Sequence, residues 1–269
     1  MNLVSDSRPD SAGRSPADIY DEQFVPALFR QWGPVLCDAA QVRRGQQVLD
    51  VACGTGALTL ALADRVGPEG AVHGLDASPQ MLAVAGRKVA RIAWVHGRAE
   101  ALPFGDAAFD AVLSQFGLMF FEGRVAGLRE MQRVLRPGGR LAVAVCDALA
   151  RSAGYAALDA LLERLFGPSV AGAFRAPFAL GDEQRLLALC AQAGIRDAQV
   201  VRREGTVRFA SVEALVSTER ACVWTLGGLL DDGQFEQLLR EARLEFAPFV
   251  NAGGQVAFTM PALLICASK

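Results

Sequence analysis

The chain is short of lysine and histidine: among 269 residues only Lys88 and Lys269 are lysines, and only His73 and His96 are histidines. Its 27 basic residues are otherwise arginines, scattered without a block of like charge, and the formal net charge is −2. No basic surface therefore favours a nucleic acid or an acidic membrane. Two isolated histidines, with no carboxylates at ligand spacing around them, argue against a metal centre. The six cysteines (Cys37, Cys53, Cys146, Cys190, Cys222, Cys266) form no CxxC pair. They read as small buried apolar residues in a reducing compartment and not as zinc ligands. No run of about 18 apolar residues is present, as a membrane helix would need. The first residues, "MNLVSDSRPDSAGRSPAD", are polar and carry no signal-peptide core. A cytoplasmic protein without a membrane segment is expected.

What is present is a globular composition, 52% hydrophobic and 21% charged. The expected organisation is a disordered tail over 1–16 and one domain over 17–269. Helices over 17–41 are interrupted at Pro26 and Pro34, and 46–147 alternates strands with helices. Strands are expected at 47–52, 71–76, 92–96, 109–114 and 140–146, the last after the turn "RPGG". Helices are expected at 57–66, 79–89 and about 123–135. The alternation defines an α/β fold, a doubly wound, mostly parallel sheet covered by helices on both faces. A mostly helical elaboration over 148–255 should face the substrate, and a closing strand over 256–268 should complete the sheet, antiparallel to the rest.

The chemistry concentrates at "VLDVACGTGALT", residues 48–59. Gly54 and Gly56 flank one residue between a strand and a helix, where missing Cβ atoms let a ligand approach backbone N–H groups. A dinucleotide fingerprint would place a third Gly or Ala where this chain has Thr59. Asp50, at the strand end, would repel a pyrophosphate and attract a cation. The turn suits a cofactor with an ammonium group. Asp76 ends the next strand, twenty residues past Gly56, at the spacing of a ribose-clasping acid; its other reading is a cap for the following helix.

The motifs "VLDVACGTGALT", "GLDASPQML", "GRAEALPFGDAAFDAVLSQFGLMFF" and "REMQRVLRPGGRLAVAV" together resemble those of the class I S-adenosylmethionine-dependent methyltransferases. The nearest subgroup is that of the ubiquinone and menaquinone C-methyltransferases (methyltransferase type 11). The resemblance implies a Rossmann-like fold, S-adenosyl-L-methionine as cofactor and S-adenosyl-L-homocysteine as product. It places Asp50, Ala52, Gly54 and Gly56 at the methionine end and Asp76 on the ribose. Ala77 and Met81 would flank the adenine, Ala99 would offer it a backbone N–H, and Ser114 and Gln115 would lie beneath the sulfonium. The family's usual acid before that alanine is Arg98 here. Either Arg98 stacks on the ring, or a carbonyl or Glu100 takes the exocyclic amine. The resemblance also makes the N-terminal helices a lid, bringing Tyr20 and Trp32 to the cofactor.

The acceptor is expected to be a small organic molecule of the quinone-precursor or secondary-metabolite kind. Tyr20, Phe116, Met119 and Trp224 are the residues expected to line its site. Phe120 belongs to the same stretch at the carboxyl edge of the fourth strand, while Phe174, Phe178 and Phe258 are further candidates whose spacing reads first as core packing. The methyl group is activated by its sulfonium, so positioning carries the reaction and neither histidine is needed as a base. A homodimer, a non-methylating enzyme (cyclisation or elimination) on the same cofactor, and a degenerate cofactor-binding partner subunit all stay open.

Overall fold

The computed structural model describes residues 14–89, 91–222 and 224–269, so most of the expected tail lies outside the described residues. Helix α1 (Pro16–Ile19) opens with a capping box, Ser15 and Asp18 each accepting from the other's backbone N–H. A π-helix follows over Tyr20–Phe29 with Pro26 inside it. Pro34 does not break the next helix, α2 (Trp32–Ala39). It falls in the first turn, where a missing N–H removes no hydrogen bond.

From there β1 (Gln47–Val51), α3 (Ala57–Val66), β2 (Ala71–Asp76), α4 (Pro79–Gly86) and β3 (Ala93–His96) alternate as expected. Then come β4 (Phe109–Gln115), α5 (Arg124–Val134) and β5 (Leu135–Cys146). The "RPGG" turn is absorbed into β5: Phe109 pairs with Leu135 but Ala111 pairs with Arg140, so residues 136–139 bulge out of the ladder. Helices α6 (Ala153–Phe166), α7 (Pro168–Arg175) and α8 (Glu183–Gln192) precede β6 (Gln199–Arg203) and β7 (Thr206–Phe209). The chain ends with α9 (Val212–Ala221), α10 (Asp232–Glu245), β8 (Val256–Thr259) and β9 (Ala262–Ser268).

Seven strands form one sheet in the order β3-β2-β1-β4-β5-β9-β6, and β7 pairs with β8 in a second, two-stranded sheet. In the large sheet β9 runs antiparallel to both neighbours, and the other pairings are parallel. The expected closing strand is therefore two strands. Pro261 has no N–H to give a ladder, and β8 and β9 part around it into different sheets.

By backbone proximity the chain divides into two compact units. One comprises Phe29–Ala148, Phe178–Gly205 and Pro261–Lys269 and holds the large sheet. The other comprises the residues up to Leu28, Leu149–Pro177 and Thr206–Met260. The stretch expected to be a continuous elaboration thus returns its middle, α8 and β6, to the sheet unit. The core of the second unit is aromatic: the Tyr155 ring lies 5.0 Å from Phe258 and 5.7 Å from Phe174, and Phe246 joins them. Phe174 and Phe258 are core residues there, as their spacing suggests.

Candidate active site

The chain starts in the middle of the sheet at β1, winds outward through β2 and β3, then crosses back to β4 on the other side of β1. Ligands of doubly wound sheets bind at such a reversal, outside the carboxyl ends of the strands. Asp50 pairs in register with Leu113, which places Ser114 and Gln115 beside the last residues of β1. Both strands leave the sheet through left-handed backbone, Ala52 at φ 59° and Phe116 at φ 54°. A bulky residue in that region stores strain, which accumulates at functional sites.

The glycine turn between β1 and α3 is held from several directions. Cys53 N–H donates to Leu75 O of β2 at 3.0 Å, and the Lys88 ammonium donates to Thr55 O at 2.8 Å. Gly56 caps α3 at φ 89°, where a Cβ would lie 2.7 Å from the Trp94 ring. Only glycine fits both the conformation and the space. Asp76 binds this turn too: one carboxylate oxygen accepts from Gly54 N–H at 2.8 Å and the other from Ser78 N–H at 2.8 Å. The helix cap itself is Ser78, whose hydroxyl accepts from Met81 N–H. Asp76 is thus no simple cap. It joins the glycine turn to the β2–α4 turn, and each oxygen keeps a lone pair for a ribose hydroxyl. Burial raises its carboxyl above the ordinary value. Asp76→Ala is expected to lower affinity for S-adenosylhomocysteine by about 1.5–3 kcal/mol, the scale of hydrogen bonds to a charged group. Unchanged calorimetric affinity would confine Asp76 to shaping the turn.

Deeper in the same edge, polar atoms are buried without partners. Asp50 is fully buried, and Thr59 donates to its Oδ2 at 2.6 Å while Oδ1 has no partner among the described residues. Burial pushes the Asp50 carboxyl up to about 7. Thr55 Oγ1, Ser114 Oγ, Gln115 Oε1 and Trp32 Nε1 are likewise buried and unpartnered there. Gln115 spends its amide on Phe29 O at 3.2 Å, and Trp32 meets the Phe116 ring edge-on at 5.6 Å. Folded proteins keep few such groups, and several gathered at one strand edge mark a place for a polar ligand. An acid, two hydroxyls, an amide oxygen and an indole N–H fit an amino-acid-like cofactor end that bears an ammonium and a carboxylate.

Towards the expected adenine end, Met81 is buried and Ala77 exposed. Ala77 O meets His96 Nε2 at 3.1 Å. Arg98 pairs with Glu122 at 2.7 Å and with Glu100 at 3.6 Å, while Glu100 Oε1 also accepts from Gly123 N–H. Arg98 is thus engaged with acids, and Ala99 beside it is buried. Met119 is buried in a short 3₁₀ turn after β4. Tyr20 and Trp224 belong to the second unit, where their rings meet edge-on at 5.8 Å. Two contributors carry little signal of their role in the sequence. Thr59 reads there only as a missing glycine, yet its place in the first turn of α3 puts its hydroxyl on Asp50; Lys88 reads only as a rare lysine.

The fold is similar to that of solved S-adenosylmethionine-dependent methyltransferases. Residues 20–153 match the ubiE/COQ5 methyltransferase family. The demethylmenaquinone methyltransferase of Geobacillus stearothermophilus is 41% identical over 135 residues, 47% of this chain and 56% of that protein. The one from Shouchella clausii is 44% identical over 129 residues, 46% of this chain and 55% of that protein. The chain thus spans about half the length of the curated relatives it matches. Among solved structures, the YcgJ protein of Bacillus subtilis shares the fold with a TM-score of 0.59 at 20% identity, over 89% of this chain and 98% of that one. A Haemonchus contortus phosphoethanolamine N-methyltransferase solved with S-adenosylhomocysteine does so with a TM-score of 0.58 at 17% identity, over 94% of this chain and 57% of that one.

Proposed function

We propose that the chain methylates a small, largely apolar ring molecule of the quinone-precursor or secondary-metabolite kind, at carbon, oxygen or nitrogen, by in-line displacement. The observation that carries this reading is the group of unpartnered buried atoms on Asp50, Thr55, Ser114, Gln115 and Trp32. Bound S-adenosylmethionine supplies a methyl group already activated on a sulfonium. In this reading Asp50 takes the cofactor's ammonium, the glycine turn its carboxylate and Asp76 its ribose. Phe116 and Met119 add an apolar wall and keep water from the reacting atoms. The acceptor class has two supports: relatives named demethylmenaquinone methyltransferases, and a chain without a basic block to hold a nucleic acid.

Positioning of this kind lowers a barrier by about 7–11 kcal/mol without a strong base. His73 is half-buried on β2 with its ring 5.3 Å from Phe109 and 5.6 Å from Phe104, and burial lowers its pKa. An imidazole packed edge-on against two phenyl rings, which also touch each other at 5.0 Å, reads as a packing residue. His73→Gln and His96→Asn are therefore expected to keep turnover within about tenfold of wild type. A fall of about 10² to 10⁴, the size of general-base catalysis, would make that histidine the base.

The fold does not choose the chemistry, since the [4+2]-cyclase SpnF shares it with a TM-score of 0.53 at 20% identity, over 87% of this chain and 80% of that one. A screen of ring acceptors with trideuteromethyl-labelled cofactor separates the readings. Methyl transfer adds the labelled group to one acceptor, by mass spectrometry, with S-adenosylhomocysteine released in equal amount. An acceptor converted to an isomer of unchanged mass, with no cofactor consumed, would establish the cyclase reading instead.

A further inference from the structure

A chain of hydrogen bonds crosses the glycine turn from a cation to an acid. The Lys88 ammonium donates to Thr55 O at 2.8 Å; that carbonyl shares a peptide group with Gly56 N–H, which donates to Cys53 O at 2.9 Å. The Cys53 carbonyl in turn shares its peptide with Gly54 N–H, which donates to Asp76 Oδ2 at 2.8 Å. Two peptide groups thus stand in series between ammonium and carboxylate, with all three bonds pointing the same way. Left-handed backbone at Gly54 (φ 55°) and Gly56 (φ 89°) makes the tight turn in which these peptides follow one another. Trp94 packs against it: a Cβ at Gly56 or at Gly74 would lie 2.7 Å from its ring.

The ordinary account of Lys88 is a cation just past the end of α4, where the helix dipole favours positive charge. That account does not require its bond to Thr55, 33 positions back in the chain. Hydrogen bonds in series polarise one another, most of all away from water, and Cys53 and Thr55 are both buried. The cation draws electron density from the Thr55 carbonyl, which makes Gly56 N–H, and through it Gly54 N–H, a better donor. Burial raises the Asp76 carboxyl, and the bonds from Ser78 and Gly54 N–H hold that rise down. A stronger Gly54 donor therefore favours the charged carboxylate. Asp76 and Lys88 also flank α4, one ahead of its cap and the other two residues past its end, so the helix holds both ends of the hydrogen-bond chain. A compact ammonium suits a single carbonyl better than the planar fork of an arginine does.

We propose that Lys88 is a positioning residue for the cofactor, acting through the Thr55–Gly56 and Cys53–Gly54 peptides on the Asp76 carboxylate that takes the ribose. The inference rests on that reading of Asp76. Calorimetric titration with S-adenosylhomocysteine at pH 8 would compare wild type, Lys88→Met, Asp76→Ala and the double variant. Lys88→Met is expected to weaken binding by about five- to thirtyfold, within the coupling range for groups in one hydrogen-bond network. In the Asp76→Ala background the same change should cost less than about twofold, because the hydrogen-bond chain then has no acid to act on. If Lys88→Met does not fold, Lys88→Gln removes the charge with less change of shape and is compared in the same two backgrounds. Wild-type affinity in the Lys88 variant would overturn the inference. So would an equal loss with and without Asp76, which would make Lys88 a brace of the turn alone. An Asp76→Ala protein that binds normally would overturn the ribose reading, and the inference with it.

Discussion

Asp50→Asn is expected to move two observables in opposite directions: at pH 8 the cofactor-free protein melts higher, and S-adenosylhomocysteine binds about 30- to 1000-fold more weakly. The weakening corresponds to roughly 2–4 kcal/mol, within the range for truncating one partner of a buried charge pair. The stabilisation has the opposite origin. Burial raises the Asp50 carboxyl from 3.8 to about 7, so between those values the folded protein holds a proton that the unfolded chain has released. Stability from this group is therefore lost progressively as pH rises from about 4 to about 7. Above that it stays reduced, by an amount on the order of 4 kcal/mol. Asparagine carries no charge to desolvate and escapes that loss, while the cofactor's ammonium loses its counter-charge. Melting temperatures at pH 5 and pH 8 for both proteins would check the first half, and calorimetric titration the second. Glu219 is raised to about the same value, so the difference between variant and wild type is the informative quantity. A variant that melts lower at pH 8 and binds normally would make Asp50 a structural acid held by Thr59.

Gly117→Ala is expected to damage the fold and the site together. A Cβ there would lie 2.6 Å from Ala52 Cβ and 2.8 Å from Ser114 Oγ, both at the exits of β1 and β4. Gly117 has an ordinary φ of −96°, so the cost is one of space and not of backbone conformation. Neither neighbour yields easily, since Ala52 is itself in left-handed backbone and Ser114 is fully buried. Overpacking of this kind costs about 1–3 kcal/mol. For a chain of this size that lowers the melting temperature by roughly 2–10 °C. The shift of Ala52 and Ser114 should weaken S-adenosylhomocysteine binding at least about tenfold as well. Gly172→Ala is the control: it is exposed, in α7, and nothing lies within 4 Å of the added atom. It should be stabilised by about 0.5–1 kcal/mol with unchanged binding. A Gly117 variant as stable and as tightly binding as that control would show that the two strand exits are not interlocked.

Much of the fold is legible in the residues themselves. Helix α3 and strand β2 have the expected ends, because a glycine at each helix boundary and an acid at the strand end are local signals. The antiparallel strand in the large sheet also matches expectation. The break at Met260 and Pro261 is legible in principle, since a proline inside a strand-like run weakens it. What obscures it is the continuous apolar pattern on both sides, which two short strands in different sheets reproduce as well as one long strand does.

The sequence by itself determined the alternation of strands and helices, the glycine turn, the acids at the ends of β1 and β2, and the class of cofactor. These depend on residues within about a turn or a strand of each other, where backbone sterics and side-chain periodicity decide. The tertiary structure alone decided which polar atoms lack a partner. Asp50 Oδ1 is orphaned because the packed chain buries Asp50 completely while Thr59 reaches only the other oxygen. Glu219 Oε2 is orphaned in a unit whose packing joins residues 195 positions apart, Gln23 and Thr218. Burial is a property of the whole packed chain. A glutamate on an amphipathic helix reads as a solvated charge until the elements that cover it are in place.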